Sequence, residues 1–570
     1  MVKHFLLTIF LFFSTVVLMA NSGDLYFNGV PAAKDTLYHR MYVSFYQEKD
    51  SRPPFAVNLE WDKTMPLADA LWDGEELGLD RTLTLDNIRT PHHLTYVNGE
   101  GKREEWEIIF TPFAVVELNL DHLDDLKNEA PGHGRIRILD AQHRTNGTTD
   151  FSTPLEAWYR GATARQFPKK SFSLAFVDEN GEELDANVLN IRPDDKWILD
   201  AMAIDLSLMR NRLCFDLWNL IDEEKFNDRM LRNGTKGYHV EVLLNGVYNG
   251  VYCMSDKINR KLLGLKKTNG SNAGSELRGR LYKCKTGDTP THFLQMPEES
   301  YPTDGEKWGD WFLKYPSENK YADTYDPLIE LIGFTDAVKT DSVYVDDHLY
   351  DYFYKNNVTD FSVFGFAAMW LDNMMHNSYL SFYNAQIDRR VWITPWDMDG
   401  SFGRDGIGMK CNWLSKPKYV FQRTEPFCTL FRNPESKFSK AMAYRWRELR
   451  TNVLSIENVT HYIDSYAQLL DESGAWTREC KRWNGILNDL KDNPYEEAEY
   501  MKQWYARNFN HLNKMFEGII TGIHEVEMND GQETGNPRVY TLDGREVHID
   551  LQSSSCPKGV YIVNGKKVIR

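Results

Sequence analysis

Asp397 and Asp399 stand two residues apart in the string WITPWDMDGSFG, with Gly400 and Gly403 just beyond. Trp392, Ile393 and Trp396 make the approach apolar and read as a strand, and side chains at i and i+2 of a strand share a face. Carboxylates at an apolar boundary need a counter-charge, commonly a divalent cation. The same pair also suits turn and capping aspartates. A second group lies in LDNMMHNSYLSF: Asp372, His376 and Asn377. On a helical start, Asp372 and His376 at i and i+4 share a face. Asp372 then supplies a carboxylate for a substrate hydroxyl, while Asn377 and Asp397 supply two oxygens for Mg²⁺. His376 taken alone reads as structural.

The third group is basic. RGATARQFPKK carries Arg160, Arg165, Lys169 and Lys170, with no acid before Asp178. Gly161 and Ala162 leave room for close backbone approach, and Lys170 opens the alternating run Ser171 to Phe176. A lysine on a strand beside a small-residue loop suits a polyphosphate, because point charge and backbone donors converge. A solvated basic loop fits the same residues. A basic loop with a strand lysine, then Asp and Asn, then Asp is the order of parts in kinase-like phosphoryl transfer. The strings HRD and DFG and a suitably placed GxGxxG are absent.

These groups need a scaffold large enough to position them. With 570 residues, 42% hydrophobic and 13% aromatic, the chain can fill several cores, which excludes global disorder. Its 83 acidic against 66 basic residues give −17, which argues against a general nucleic-acid binder. Short β-type runs separated by polar turns fill residues 23–130: Leu25 to Phe27, Arg40 to Tyr46, Phe55 to Trp61, Leu94 to Val97 and Glu107 to Phe110. They predict a β-sandwich that reads as a spacer or docking domain. Residues 131–525 begin with strands at 136–139, 155–160 and 171–176 and a hairpin of Tyr238 to Leu244 with Val247 to Met254 across Asn245-Gly246. Helical patterns follow at 205–221, 361–375, 437–451, 459–473 and 496–516. The polar stretch 266–324 reads as long loops. Strands first and helices later is α+β order.

The ends differ. Residues 1–22 read as a signal peptide: Lys3 and His4, an apolar run from Phe5 to Met19, then Ala20-Asn21-Ser22. The apolar run is shorter than the about 20 residues that span a bilayer, so export with cleavage is expected over an anchor, and no transmembrane helix remains in the mature chain. Seven cysteines lack CxxC spacing. Cys411 and Cys428 are the only pair suggested as a disulfide, and seven buried thiols are the other reading. Residues 526–570 form a separate tail with two hairpin signals, Asp543-Gly544 and Asn564-Gly565. The string VYTLDGREV…CPKGVYIVNGKKVIR resembles the C-terminal sorting domain read by the type IX (Por) secretion system. That resemblance implies the outer-membrane secretion machinery as partner, and a secreted or outer-surface location in a Gram-negative bacterium. A small β-module retained on the protein is the other reading.

The segments YRGATARQFPKKSFSLAF, DDKWILDAMAIDLSLMRNRLCFDLW, VEVLLNGVYNGVYCMSDKI and WDMDGSFG resemble the CotH (spore coat protein H) family of atypical secreted protein kinases. The resemblance runs from about Arg135 to Gly403, and the helical tail to about residue 520 goes with it. It implies a kinase-like fold that moves phosphate from ATP to Ser/Thr of surface or extracellular proteins with Mg²⁺. Arg160, Gly161, Lys169 and Lys170 match the family's RG…PKK element, implying nucleotide contacts. Met209-Arg210-Asn211 matches its MRN helix. Asp256 stands where the family shows Glu before Lys-Ile and is grouped with the nucleotide residues. Asp372 and Asn377 match the catalytic Asp…Asn segment, although WLDNMMHNS departs from its usual surroundings. Asp397 matches the metal-binding Asp of WDFD, with Met398 in place of Phe, and Asp399 joins it as a metal ligand. Two other readings stay open. One is a non-catalytic cell-surface or adhesion protein on the same fold. The other is a secreted glycan hydrolase using Asp397 and Asp399, disfavoured because such carboxylates sit about 5–9 Å apart across the sugar.

Overall fold

Apolar residues at every second position decide the first part of the fold. Leu25 and Phe27, Val57 and Leu59, and Leu83 and Leu85 are buried in alternation, as are Met41 and Val43, Leu94 and Tyr96, and Ile108 and Phe110. Alternation puts one face of each strand inside. The first set belongs to a four-stranded sheet and the second to a six-stranded one, and the two sheets share one apolar core. The structure, a computed structural model, describes residues 25–522 except 49–50, 62–67, 78–80, 99, 124–125, 127–129, 162, 222–229, 269–277, 285–306, 310, 317–322, 372, 374–376, 422–423 and 487–489, together with strand residues 539–541, 546–547, 560–563 and 566–569. The signal-peptide reading at 1–22 and the tail turns at Asp543-Gly544 and Asn564-Gly565 lie outside these residues. The chain is a mixed α+β protein with the more helical part towards its C-terminus.

Two compact units form. The first comprises residues to Asp216, Thr235–Lys261 and His461–Tyr500; the second comprises Leu217–Gly234, Leu262–Thr460 and the residues from Met501. Besides the two sheets, the first unit contains a closed barrel of seven strands: Ala114–Leu120, Gly132–Leu139, Asp150–Tyr159, Phe172–Phe176, Lys196–Asp200, Val247–Asp256 and Gly237–Leu244 in barrel order. All neighbours are antiparallel except the closing pair, Ala114–Leu120 with Gly237–Leu244, which runs parallel. The interior is again every second residue, for example Val116, Leu118, Ile136, Ile138, Leu174, Phe176, Val240 and Val242. The barrel takes its first strand from upstream of residue 131, where the sequence reading began the second region. Helix Arg210–Ile221 starts five residues after Asp205, its expected beginning. Asp205 stays outside because its carboxylate accepts from the backbone N–H of Ser207, Met209 and Arg210, which satisfies donors that a helix start leaves open.

The second unit has a five-stranded antiparallel sheet in the order Lys307–Trp308, Trp311–Tyr315, Arg280–Cys284, Ser378–Phe382, Trp392–Pro395. Three of these strands come from the stretch expected to be loops. Tyr282, Trp308 and Trp311 are buried there, so a few aromatic β-formers outweigh a polar, turn-rich composition. Helix Lys355–Ala368 is buried from Asn357 to its end. It stops seven residues before the expected Met375, with Met369 left-handed at φ 50° and ψ 57°. Other elements hold that stop. Asn508 donates to the carbonyls of Phe366 at 2.9 Å and Ala367 at 3.1 Å, Ser415 Oγ donates to Phe366, and the Phe402 N–H donates to Ala368. Cys411 and Cys428 are separate buried thiols, the first hydrogen-bonded to the Met409 carbonyl and the second inside helix Phe427–Arg432, so the suggested disulfide is not formed. The tail strands Glu546–Val547, Val539–Thr541, Val560–Val563 and Lys566–Ile569 form one antiparallel sheet in that order. Among the described residues no helix is long and apolar enough to cross a membrane.

Replacing Asn508 by Ala strips the Ala367 carbonyl and the Ser415 N–H of this partner and leaves the Phe366 carbonyl with the Ser415 hydroxyl. The expected cost is about 2–4 kcal/mol, since a buried unsatisfied group costs ~1–3 kcal/mol. Urea denaturation checks this. An unchanged midpoint for Asn508→Ala would show that the helix end is held by Ser415 and Phe402 alone.

Candidate active site

In the second unit, strand pairing brings the oxygen-bearing residues together. Ser378 pairs with Pro395 at one end of two antiparallel strands. Asn377 therefore precedes one strand where Trp396 and Asp397 leave the other, and the Trp396 N–H donates to the Asn377 carbonyl at 2.8 Å. The other edge of strand Trp392–Pro395 is fixed by amides. Asn357 exchanges two hydrogen bonds with Ile393 at 2.7 and 2.9 Å, and Asn233 bonds the Ile393 carbonyl and the Thr394 hydroxyl.

Asn373 clamps the two loops and was not singled out from sequence. Only 1% exposed, it points its amide nitrogen at the carbonyls of Trp396 (2.6 Å), Asn377 (3.3 Å) and Asp397 (3.4 Å). Its sequence signal is its place between Asp372 and Asn377, where an asparagine has an amide long enough to bridge loops. Asp397 and Asp399 lie beyond the end of the strand at Pro395, so the shared strand face expected for them does not exist. Asp397 instead takes a left-handed backbone at φ 59°, which Asp tolerates better than most residues and which gathers at functional sites. Both aspartates are partly accessible, whereas Trp396 and Met398 are buried. Ser401 closes the turn, donating from Oγ to the Met398 carbonyl at 2.6 Å and from its N–H to Asp399. The expected catalytic Asp372, and His376 with it, lie outside the described residues.

In the first unit, the basic loop leaves strand Asp150–Tyr159 and returns into Phe172–Phe176, and Arg160 N–H donates to Ser171. Gly161 has φ 90°, and Thr163–Gln166 makes a 3₁₀ turn. Arg160 and Lys170 are partly exposed; Gly161 is exposed. The Lys170 ammonium donates to the Arg165 carbonyl at 2.5 Å. Lys169 does something else. It is fully buried, and its Nζ donates to Glu479 Oε1 and to the Val251 carbonyl, both at 2.6 Å, above the Tyr252 ring. Glu479 Oε2 accepts the Val251 N–H at 2.7 Å. Burial, the largest influence, pulls the Lys169 ammonium below its ordinary value and pushes the Glu479 carboxyl above its own, while the mutual attraction works against both shifts. Gly250, at φ 102°, leaves the space this carboxylate occupies, since a Cβ there would overlap Glu479 Oε2.

Arg210 of the Met209-Arg210-Asn211 element is also buried, bonded to Asp205 at 2.7 Å and Glu497 at 2.8 Å. Asp256, grouped with the nucleotide residues from sequence, is fully buried against Arg192 at 2.8 Å and accepts the Lys236 N–H. Asp185, Asp194 and Asp195 bring their oxygens within 4.8 Å of one another. Lys261 reaches Asp185 at 2.6 Å and Asp195 at 3.0 Å, and Arg192 pairs with Asp194, so cations of the chain already neutralise that cluster.

Asn377, Asp397 and Asp399 place oxygen-bearing side chains on the loops at the paired ends of strands Ser378–Phe382 and Trp392–Pro395 in one unit. The other unit supplies a basic loop anchored by a buried ion pair. Oxygen-only donors suit Mg²⁺. No curated protein matches the chain. The family described as CotH kinase protein matches residues 157–512, a span that takes in the basic loop, Glu479, Asn377 and the aspartates that follow Trp396. That match covers more than half of the sequence, and the chain belongs to the CotH kinase protein family, with the kinase-like fold that membership suggests.

Proposed function

We propose that the protein is an exported kinase-like enzyme that uses ATP and Mg²⁺ to phosphorylate Ser or Thr hydroxyls of surface or extracellular proteins. The observation that carries this reading is the convergence of Asn377 and Asp397 at the ends of two paired strands, clamped by Asn373. The Lys169–Glu479 pair supports it: protein-kinase sites require a lysine bound to a helix glutamate, and here a lysine at the end of the basic loop, three residues before strand Phe172–Phe176, is bound to a glutamate of helix Ala475–Trp483.

Arg160 and Lys170, with the loop backbone around Gly161, hold the phosphates as point charges and N–H donors. Glu479 keeps Lys169 and the end of the loop in register. Asn377 and Asp397, with Asp399, hold Mg²⁺, which when bound neutralises charge on the phosphate oxygens. Asp372 takes the proton from the substrate hydroxyl as its oxygen bonds to the γ-phosphorus and the bond to ADP breaks. Positioning and charge neutralisation carry such a transfer. The tail directs the chain across the outer membrane.

Asp397→Ala is expected to remove Mg²⁺-dependent nucleotide binding while leaving the fold intact, because losing one of several neighbouring carboxylates relieves repulsion in the metal-free protein. Calorimetric titration of ATP with and without Mg²⁺ reads this, and an unchanged affinity would sink the metal assignment.

Asp372→Asn separates catalysis from binding. Affinity for Mg²⁺-ATP should stay within a few fold while phosphoryl transfer drops by at least ~10²-fold, the lower end of general-base contributions. Loss of nucleotide and metal together would make Asp372 a ligand, normal turnover would place the base at another residue, and absence of phosphoryl transfer by the unmutated protein would end the kinase reading.

Deleting residues 536–570 should leave the melting temperature of the remainder unchanged and stop outer-membrane passage. A short four-stranded sheet contributes little core to a neighbour. A large fall in melting temperature would make the tail part of the folded body.

A further inference from the structure

A cavity of about 280 Å³ opens in the first unit, lined by Phe45, Gln142, Arg144, Arg212, Tyr238 and His239 among others. It lies at the end of strand Asp150–Tyr159 away from the basic loop. Asp150 pairs with Leu139, next to the segment that holds Gln142 and Arg144, whereas Tyr159 pairs with Phe172 beside Lys170. No part of the proposed phosphoryl-transfer chemistry uses these lining residues.

The lining contains two guanidinium groups and no carboxylate. Both stack on Tyr238, with Arg144 at 5.6 Å and Arg212 at 4.6 Å from the ring centre. Arg144 grips the buried Asp140 through Nε and Nη2, both at 2.9 Å, which turns Nη1 away from that pair. Arg212 directs Nη2 to Asp216 at 2.9 Å. His239 is 6% exposed and sets Nε2 at 2.7 Å from the Leu208 carbonyl. A carbonyl only accepts, so Nε2 carries the proton and Nδ1 is a bare acceptor. Burial, the dominant influence, brings this imidazole down to about 4, so it is neutral at pH 7. Phe113 and Tyr466 stand edge-on to the same imidazole at 6.1 and 5.9 Å.

We propose that this cavity is a binding site for a small planar organic anion: one ring, a carboxylate for Arg144 and a hydroxyl that donates to His239 Nδ1. The size fits one ring, since sites for drug-sized ligands run to ~300–1,000 Å³. The charge fits a single negative group. Asp140 and Asp216 already balance the two arginines, so the walls attract an anion through directed donors and have no surplus for a multiply charged one. The aromatic walls cover the ring faces.

The test is calorimetric titration of the full-length protein with 4-hydroxybenzoate, with neutral 4-hydroxybenzamide and inorganic phosphate as comparison probes. Saturable one-site binding of 4-hydroxybenzoate is expected, weaker by at least about tenfold for the amide, as loss of a charge-assisted contact implies. Arg144→Lys keeps the charge on Asp140 but removes the second fork, and should weaken binding by a similar factor. Gln142→Trp fills the cavity without touching any ion pair and should abolish it while the melting temperature without ligand stays put. If Arg144→Lys fails to fold, Gln142→Trp decides. Absence of saturable binding, undiminished binding to Gln142→Trp, or equal binding of the amide or of phosphate each overturns the proposal.

Discussion

Charge cannot stay buried without a partner, and in the first unit one short helix meets that requirement for Glu241 of the barrel and for Lys169 of the loop beside it. Helix Ala475–Trp483 places Arg478 against Glu241 and Glu479 against Lys169, two adjacent side chains of opposite sign, each bonded to a buried group of opposite charge. Arg482 and Trp483 add bonds to the carbonyls of Tyr248 and Asn249. The helix thus binds the backbone of strand Val247–Asp256 from Tyr248 to Val251, where Gly250 makes room for it. Removing one member of such a pair strands the other, which typically costs ~3–5 kcal/mol. The register of the basic loop follows from this, because its last residues lead through Lys169 into the pair.

The same rule with neutral groups shapes the oxygen-rich loops of the second unit. Asparagine amides do there what ion pairs do in the barrel. Asn357 and Asn233 complete an unpaired strand edge, Asn508 closes a buried helix end, and Asn373 ties two loops. An amide satisfies a donor and an acceptor at once without desolvating a charge. Carboxylates are left for Asp397 and Asp399, which are only partly buried and so can carry charge.

Local signals in the sequence were strong where structure is local. The Asn245-Gly246 turn joins the two strands expected to flank it, and the alternating runs at 136–139, 155–160 and 171–176 all lie within or overlap barrel strands. Non-local constraints were not legible. Glu479 sits in AWTRECKRW, a charged stretch that gives no hint of a partner 310 residues away. The end of helix Lys355–Ala368 has no Gly or Pro after it and is set by Asn508, far along the chain. The aspartates after Trp396 were read onto a strand because the apolar residues before them are strand formers. The left-handed turn at Asp397 depends on what Asn373 and Ser401 bond, which periodicity does not encode.

The N-terminal sheets, read from sequence as a spacer or docking domain, are continuous with the barrel. Strand Arg103–Thr111 of the six-stranded sheet leads within three residues into barrel strand Ala114–Leu120. Tyr42 stacks on Tyr248 at 4.7 Å with the rings nearly parallel, and both belong to a core shared with Ala33, Ile109, Val115, Leu139 and Leu243. Asp35 accepts the Tyr248 N–H, and the Tyr248 hydroxyl donates to Glu241, the partner of Arg478. A path of packed and bonded groups therefore runs from the sandwich through Tyr248 to the helix that holds Lys169. A sandwich tied in this way acts as a wall of the barrel, because pulling it away would expose apolar surface and break the Asp35–Tyr248 bond and the Tyr42–Tyr248 stack in one step. That is a physical reason for the cavity lined by Phe45 and His239 to keep its shape: one wall comes from each fold, and the shared core fixes them to each other.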